Sequence, residues 1–425
     1  MPTTLFILAG EASGDLHGAK LIEAWKELDP SARFVGMGGP KMAAAGLEVA
    51  KDLDGMQVVG FWEVAKRYGF FKRVFYQLLD RVKQERPAAL ICIDYPGFNL
   101  RFAKAVKKLG IPCLYYIVPQ VWAWKPKRAA KMAAFIDRAY CVFEFEPPFF
   151  EKFRTPARAM KTEFVGHPLL DCGLRIADCG LTSRNNFKTI AFLPGSREKE
   201  ILFHLSPLHD AYRIVKGNYD TARCLISISD STPKMLHKYY RSVVSEDESA
   251  YDPVGMGGNP HEDDYGPNGT PDILIGGKAH AAADNQRLLE LGKHSPHASL
   301  LPALSDFSVV KSGTSTLEAG LQGNPMCVVY KGGRISYAIA RLLVDIPVFS
   351  LVNIVLGRYA VPELLQDEVN PQRIAAEIER GLTDRKYIDQ QRAALAELPK
   401  KLGGPGASKR AAQGMLDFLK GKANS

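Results

Sequence analysis

Leu5-Phe6-Ile7-Leu8-Ala9 runs directly into Gly10-Glu11-Ala12-Ser13-Gly14-Asp15. A continuous apolar run marks a strand buried on both faces, and the small, polar turn that closes it opens onto a helical pattern. The same succession of strand, turn and helix recurs outward from this point. Strands are predicted at 5–9, 33–36, 89–94, 113–118 and 140–143. After the rhythm loosens between 168 and 186, further strands are predicted at 189–193, 224–229, 307–311 and 326–330. This alternation specifies an α/β protein with two Rossmann-like, doubly wound parallel-sheet domains. The predicted divisions are 1–170, 187–345 and a helical C-terminal segment, 346–425, that crosses back to the first domain or to a partner chain. Helical patterns at 372–381, 388–398 and 409–419, interrupted by Gly403-Gly404-Pro405-Gly406, define that tail and also allow a tail-exchanged homodimer.

A chain of 425 residues exceeds the size at which a single core keeps growing, in keeping with two domains. Its composition, 46% hydrophobic and 24% charged, excludes a disordered chain. Seven scattered cysteines, with no Cys-x-x-Cys pair and no zinc spacing, point to reduced thiols in a cytosolic compartment. The N-terminus lacks a basic, apolar leader and no apolar run reaches the ~18 residues of a membrane span, so a protein neither secreted nor membrane-spanning is expected.

The net charge of +9 is unevenly placed: residues 101–170 hold thirteen Lys and Arg against five Asp and Glu, whereas 245–277 hold no Lys or Arg. The basic stretch suits nucleic acid, anionic lipid or a phosphorylated substrate, and charge alone does not choose. The stretch 245–277, rich in acidic residues, Gly and Pro, reads as a long surface insertion, and its His261-Glu262-Asp263-Asp264 as solvated rather than metal-binding.

Ligands of open α/β sheets bind beyond the carboxyl ends of strands, which directs attention to five loops. In the first, Glu11 and Asp15 would repel a pyrophosphate, so Glu11, Ser13, Gly14 and Asp15 suit a hydroxyl-rich sugar or acceptor; a capped helix start accounts for the same residues. In the second, Ile93-Asp94-Tyr95-Pro96-Gly97 delivers a carboxylate to a strand end, where partial burial would suit it to general-base work, or where it caps the next helix. The third, with Trp122 and Trp124 beside Lys125, Lys127 and Arg128, offers a phosphate and an apolar or sugar face, or one core Trp with solvated cations. The fourth and fifth, Gly195-Ser196-Arg197 and Ser312-Gly313-Thr314 with Glu318 a turn later, supply amides, hydroxyls, a guanidinium and a carboxylate suited to a nucleoside diphosphate, although Ser/Thr caps with an early Glu are ordinary helix starts. Separately, residues 61–76 interleave aromatic and basic side chains, among them Phe61, Trp62, Lys66, Arg67, Phe70, Phe71, Lys72 and Arg73, which suits either an interfacial helix on anionic lipid or a core face.

Ala9-Gly-Glu-Ala-Ser-Gly-Asp15, Arg33-Phe-Val-Gly36, Gly39-Pro40, Ile93-Asp94, Phe98-Asn99, Val121-Trp-Ala-Trp124, Phe164-Val-Gly-His167, Leu193-Pro-Gly-Ser-Arg197, Ser312-Gly-Thr314 and Leu317-Glu318, in this order, resemble the lipid-A-disaccharide synthases. These are inverting glycosyltransferases of the GT-B fold, so the resemblance implies two domains facing a cleft. It further implies transfer of 2,3-diacylglucosamine from UDP-2,3-diacylglucosamine to 2,3-diacylglucosamine 1-phosphate, yielding UDP and the β-1,6-linked disaccharide 1-phosphate of lipopolysaccharide biosynthesis. Carried onto matching positions, Asp94 is the base for the acceptor 6-hydroxyl, Arg197 meets the donor diphosphate, and Glu318 and Asn353 belong to the donor site. Neither cofactor nor metal is implied, nor a nucleic-acid partner, and the location implied is cytoplasmic, peripheral to the inner membrane. Gly97 stands where some members carry a second acidic residue, which weakens any case for a carboxylate pair.

Other UDP-binding proteins of this fold, such as UDP-N-acetylglucosamine 2-epimerases or peptidoglycan glycosyltransferases, would share the second half; Trp122-Ala123-Trp124 favours the lipid A reading. A basic surface-binding module would leave both phosphate-type loops unused. An NAD-dependent dehydrogenase is disfavoured by the absence of Gly-x-Gly-x-x-Gly at the first turn.

Overall fold

The computed structural model describes residues 3–56, 67–124, 126–155, 160–172, 188–195, 198–219, 222–227, 273–276, 301–333 and 348–423. They divide into two compact units. One comprises the described residues through Cys172 together with those from Lys400 onward; the other comprises those from 188 to Pro399.

The first unit is built on β1 (Thr4–Ala9), β2 (Arg33–Met37), β3 (Leu47–Lys51), β4 (Ala89–Ile93), β5 (Cys113–Tyr116), β6 (Arg138–Cys141) and β7 (Lys161–Phe164). They form one parallel sheet in the order β3-β2-β1-β4-β5-β6-β7. Leu5 through Ala9 and all of β4 are inaccessible because β1 and β4 lie at the middle of the sheet with helices on both faces. Phe6, Phe75, Phe98 and Phe102 pack ring against ring in the core on one face. The last described helix, Ala407–Ala423, packs on helix Ala12–Leu28. Its N-terminus is tied down across the chain: the Asp171 carboxylate accepts from Gly406 N at 2.6 Å and Ser408 N at 2.7 Å, and Arg410 Nε donates to Val165 O at 2.8 Å.

The second unit contains β8 (Thr189–Leu193), β9 (Arg223–Ser227), β10 (Ile273–Gly276), β11 (Phe307–Lys311), β12 (Met326–Tyr330) and β13 (Glu363–Leu365), ordered β10-β9-β8-β11-β12-β13. All pair in parallel except β10, which runs antiparallel to β9. The end of the stretch read as a surface insertion is therefore a sheet edge. Helix Pro371–Thr383 shows how the tail joins this unit: Asn370 caps Arg373 N, Pro371 sits in the first turn, and Ile374, Ala375, Ile378 and Leu382 turn one apolar face to the core. Among the described residues no helix is long and apolar enough to cross a membrane.

Four strands escaped the sequence reading: β3, β7, β10 and β13. Each is an edge of its sheet. An edge strand has one neighbour and often one wet face, so its residues, as in Lys161-Thr162-Glu163-Phe164, carry no continuous apolar run.

Candidate active site

In the first sheet the strand order reverses between β1 and β4, so the carboxyl ends of these two strands border the crevice where such folds take ligands. The Gly10 turn and Asp94 meet there. A Cβ at Gly10 would lie 2.2 Å from Tyr95 Cδ1, so only glycine lets the Tyr95 ring close over the first turn. The Tyr95 hydroxyl donates to Met56 O at 2.7 Å. Glu11 is half-buried and Ser13 exposed, while Gly14 is packed against Ala9 and Ile93.

Asp94 and Tyr95 have φ of 42° and 49°, two successive non-glycine residues in the left-handed region. Such conformations cost about 1–3 kcal/mol each and persist only where the surroundings over-determine them. Here they do. The Asp94 carbonyl accepts from the Tyr115 hydroxyl at 2.6 Å and from Asn99 Nδ2 at 2.8 Å; Asn99 Nδ2 also reaches Ile93 O at 3.1 Å, and Asp94 N donates to Tyr116 O at 3.1 Å. The backbone is fixed this way, Asp94 is half-buried, and Tyr95, at the cap position of the helix that follows, Pro96–Lys107, makes no side-chain cap.

Asp15 has a different task from the one its sequence position suggested. It is 3% exposed, and its carboxylate accepts from Gly39 N at 2.8 Å, Met42 N at 2.9 Å and Lys41 N at 3.1 Å. It thus caps helix Pro40–Ala45 from another helix, because Gly39 at the cap position has no side chain to do so. Trp122 is likewise committed: its Nε1 donates to Glu146 Oε1 at 3.0 Å and its ring stands edge-on to Phe145 at 4.9 Å. Trp124 ends helix Val121–Trp124.

Glu146 is inaccessible and accepts also from Val142 N and Phe143 N, yet burial pushes its carboxyl up to about 7. His17 and His167, whose rings lie 6.3 Å apart, are pulled down to about 4 and about 3 by burial. The signs oppose. Glu146 binds its proton more tightly folded than unfolded, so its contribution to stability is full below 4.5 and is lost, by about 3 kcal/mol, as pH rises to about 7. The histidines contribute above 6.5 and lose their contribution as pH falls toward 4 and 3. Glu146→Gln is therefore expected to make the first unit lose stability more steeply on acidification than the native chain, measured by tryptophan-monitored denaturation at pH 7, 6 and 5. Parallel pH profiles for the two proteins would remove Glu146 from this account.

Of the aromatic and basic stretch, Phe61, Trp62 and Lys66 lie outside the described residues. Arg67, Lys72 and Arg73 are exposed, whereas Phe70 and Phe71 pack against the core. Helix Tyr68–Glu85 instead exposes Tyr68 and Tyr76, at 60% and 52%.

In the second sheet the order reverses between β8 and β11, adjacent parallel strands in register from Phe307↔Ile190 to Val310↔Leu193. The two phosphate-type loops therefore leave the sheet side by side. Gly195 takes φ +111°, and Gly313, at the cap position of helix Thr314–Leu321, has no side chain to cap it; within the first turn Thr316 N donates to Gly313 O at 3.1 Å. Ser196 and Arg197 lie outside the described residues. Ser312 is half-buried and its N–H donates to Val329 O at 2.9 Å, while Thr314 is exposed. Glu318, one turn on, is half-buried, and desolvation pushes it up to about 7.

Asn353 stands apart from this pair of loops in its chemistry. It is inaccessible; Nδ2 donates to Val361 O and Glu363 Oε1, and Oδ1 accepts from Ala360 N and Val361 N, at 2.8 to 3.0 Å. Two donor hydrogens and two lone pairs are thus engaged, so Asn353 shapes the segment leading to β13 and keeps nothing for a ligand. Lys311, which opens the fifth loop but is assigned no role from sequence, lies between the two loops: its Nζ would stand 3.8 Å from a Cβ at Gly313, and its Cδ 3.5 Å from one at Gly195.

Comparison with known proteins agrees with this arrangement. The family model described as Lipid-A-disaccharide synthetase matches residues 5–247 and 279–416, omitting most of the stretch read as an insertion. The lipid-A-disaccharide synthase of Anaeromyxobacter dehalogenans (strain 2CP-1 / ATCC BAA-258) is 36% identical over 422 residues, covering 98% of this chain and 97% of that one. That of Syntrophus aciditrophicus (strain SB) is 36% identical over 423 residues, covering 98% of each. Among solved structures, S. aureus MnaA with UDP superposes with a TM-score of 0.63 at 11% identity, over 99% of this chain and 97% of that one. UDP-GlcNAc 2-epimerase from Neisseria meningitidis superposes at 0.57 and 13% identity, over 98% and 99%. At such identities the structural likeness speaks for the two-domain fold, while the sequence likeness runs almost end to end. The chain belongs to the lipid-A-disaccharide synthase family, glycosyltransferases of lipid A biosynthesis with the GT-B fold.

Proposed function

We propose that the chain transfers 2,3-diacylglucosamine from UDP-2,3-diacylglucosamine to the 6-hydroxyl of 2,3-diacylglucosamine 1-phosphate with inversion, releasing UDP and the β-1,6-linked disaccharide 1-phosphate. The observation that carries this reading, within the family, is that each sheet has its motif loops at its own switch point: Gly10 and Asp94 on one, Gly195 and Ser312-Gly313-Thr314 on the other. Inversion needs a base behind the acceptor hydroxyl and stabilisation of the departing diphosphate. Asp94 takes the acceptor proton as its oxygen attacks the anomeric carbon. The anomeric C–O bond breaks toward UDP, whose charge meets Arg197, the amides at Gly195 and the start of helix Thr314–Leu321. Glu318 accepts from ribose hydroxyls. Glu11 and Ser13 line the acceptor side; Asp15, Trp122 and Asn353 support its loops and those of the donor. Arg67, Tyr68, Lys72, Arg73 and Tyr76 form the exposed aromatic and basic face that meets anionic lipid at the inner membrane.

Mass analysis after incubation with the two defined substrates tests the reaction; absence of the disaccharide 1-phosphate alongside intact donor would overturn it. A second measurement reaches the donor site alone. With Glu318 pushed up to about 7, its carboxylate protonates as pH falls from 8 to 6, and its hydrogen bonds from ribose weaken. UDP affinity is expected to fall several-fold more over that range in the native chain than in Glu318→Gln, the comparison cancelling titration of UDP itself. Equal pH slopes would take Glu318 out of the donor site.

A further inference from the structure

Lys311 ends β11 and points its ammonium at Glu200, with Nζ 2.7 Å from Oε1 and the two side chains only 14% and 20% exposed. Glu200 lies in the first turn of helix Glu198–Asn218, which follows the β8 turn. A Cβ at Gly195 would stand 2.7 Å from its Oε2. The carboxylate therefore occupies the space between the Gly195 turn, the Lys311 ammonium and the positive end of a helix, the surroundings that a phosphate group would also select. His204 holds the helix start in place beneath it. Its Nδ1 donates to Glu200 O at 2.6 Å and its Nε2 accepts from Lys331 N at 2.9 Å, joining the first turn of the helix to the end of β12. The backbone is thus anchored, and Lys311 brings to this place a point charge on a four-carbon stem.

We propose that Lys311 is a contact for the diphosphate of the donor and that Glu200 is an internal anion standing in its place until the diphosphate displaces it. The inference rests on the reading of the β8 and β11 loops as the donor site and adds to it a competition between a side chain and the substrate. When UDP enters, the Lys311–Glu200 ion pair opens, Lys311 turns to the diphosphate, and the Glu200 carboxylate moves away from the incoming negative charge. Glu200 thereby lowers affinity for the nucleotide and eases its release, while Lys311 raises affinity.

The two residues of one ion pair are then expected to have opposite effects. UDP binding to the full chain, measured by titration calorimetry, should tighten about five-fold in Glu200→Gln and weaken about ten-fold in Lys311→Met. The double variant should bind no more weakly than Lys311→Met, because the Glu200 carboxylate opposes the diphosphate whether or not Lys311 is present. Lys311→Arg should restore most of the affinity. A simple structural brace predicts the contrary pattern, with Glu200→Gln and Lys311→Met both weakening UDP binding and both lowering the melting temperature; that result would overturn the inference. Native affinity in Lys311→Met would overturn it too, and this arm stands alone should Glu200→Gln fail to fold. If Gly313→Val abolishes UDP binding while Lys311→Met leaves it unchanged, the donor-site reading survives and only the exchange falls. If the native chain binds no UDP, both fall together.

Discussion

Asp94→Ala is expected to lower kcat by about 10²–10⁴-fold, the range associated with loss of a general base, with UDP affinity within two-fold or so of the native value. The expectation depends on separation as much as on chemistry. Asp94 belongs to the first sheet, and the loops assigned to the diphosphate leave the second, so substitution removes a proton acceptor without touching a nucleotide contact. Asp94→Asn sharpens the test, because an amide keeps the size and much of the hydrogen bonding but takes up no proton at working pH. Both variants should fail alike. The backbone at 94–95 is held through the Asp94 carbonyl by Tyr115 and Asn99, and neither substitution alters that carbonyl. A normal kcat in Asp94→Asn would show that the base lies elsewhere, and a loss of UDP binding in parallel with turnover would show that the effect is structural.

Asp15→Ala should act on stability instead. Three backbone amides, of Gly39, Lys41 and Met42, lose a charged acceptor in a site that is 3% exposed. Leaving buried donors unpaired costs about 1–3 kcal/mol each, so a loss of roughly 3 kcal/mol or more is expected for the first unit. All four tryptophans, Trp25, Trp62, Trp122 and Trp124, precede Cys172, which makes indole fluorescence a reporter of that unit alone. The denaturant midpoint read this way should fall sharply in Asp15→Ala and by less in Asp15→Asn, whose amide oxygen still accepts, while UDP binding in the absence of denaturant stays near native. An unchanged midpoint with lost transfer would return Asp15 to direct acceptor contact.

The contrast between Asp94 and Asp15 shows where reading from sequence reaches its end. Both follow a central strand, and both are acidic residues in a small, polar setting. What separates them is the position of Pro40–Ala45, whose first-turn amides need an acceptor that Gly39 does not supply. Asn353 and Trp122 behave like Asp15: motif residues whose partners, Glu363 and Glu146, come from other segments, so the same side chain is a ligand contact or a buried support according to what the fold brings beside it. Lys311 is the converse case. Its partner Glu200 is 111 positions away, and nothing local distinguishes it from a solvated lysine.

The central strands were legible because burial on both faces demands continuous apolar runs, and the loops following β1, β4, β8 and β11 were legible because small residues at strand-to-helix turns are a local steric requirement. The turn at Gly10 to Asp15, with which the chain opens its first helix, belongs to this class. By itself the sequence thus determined the α/β class, the two sheets and the loops at their switch points. Only tertiary structure decided the edge strands, the attachment of helix Ala407–Ala423 to the first unit through Asp171, and which polar motif side chains, such as Asp15 and Asn353, serve the backbone. Apolar periodicity is a property of neighbours along the chain, whereas hydrogen-bond satisfaction of a buried group depends on neighbours in space, and those are set by packing.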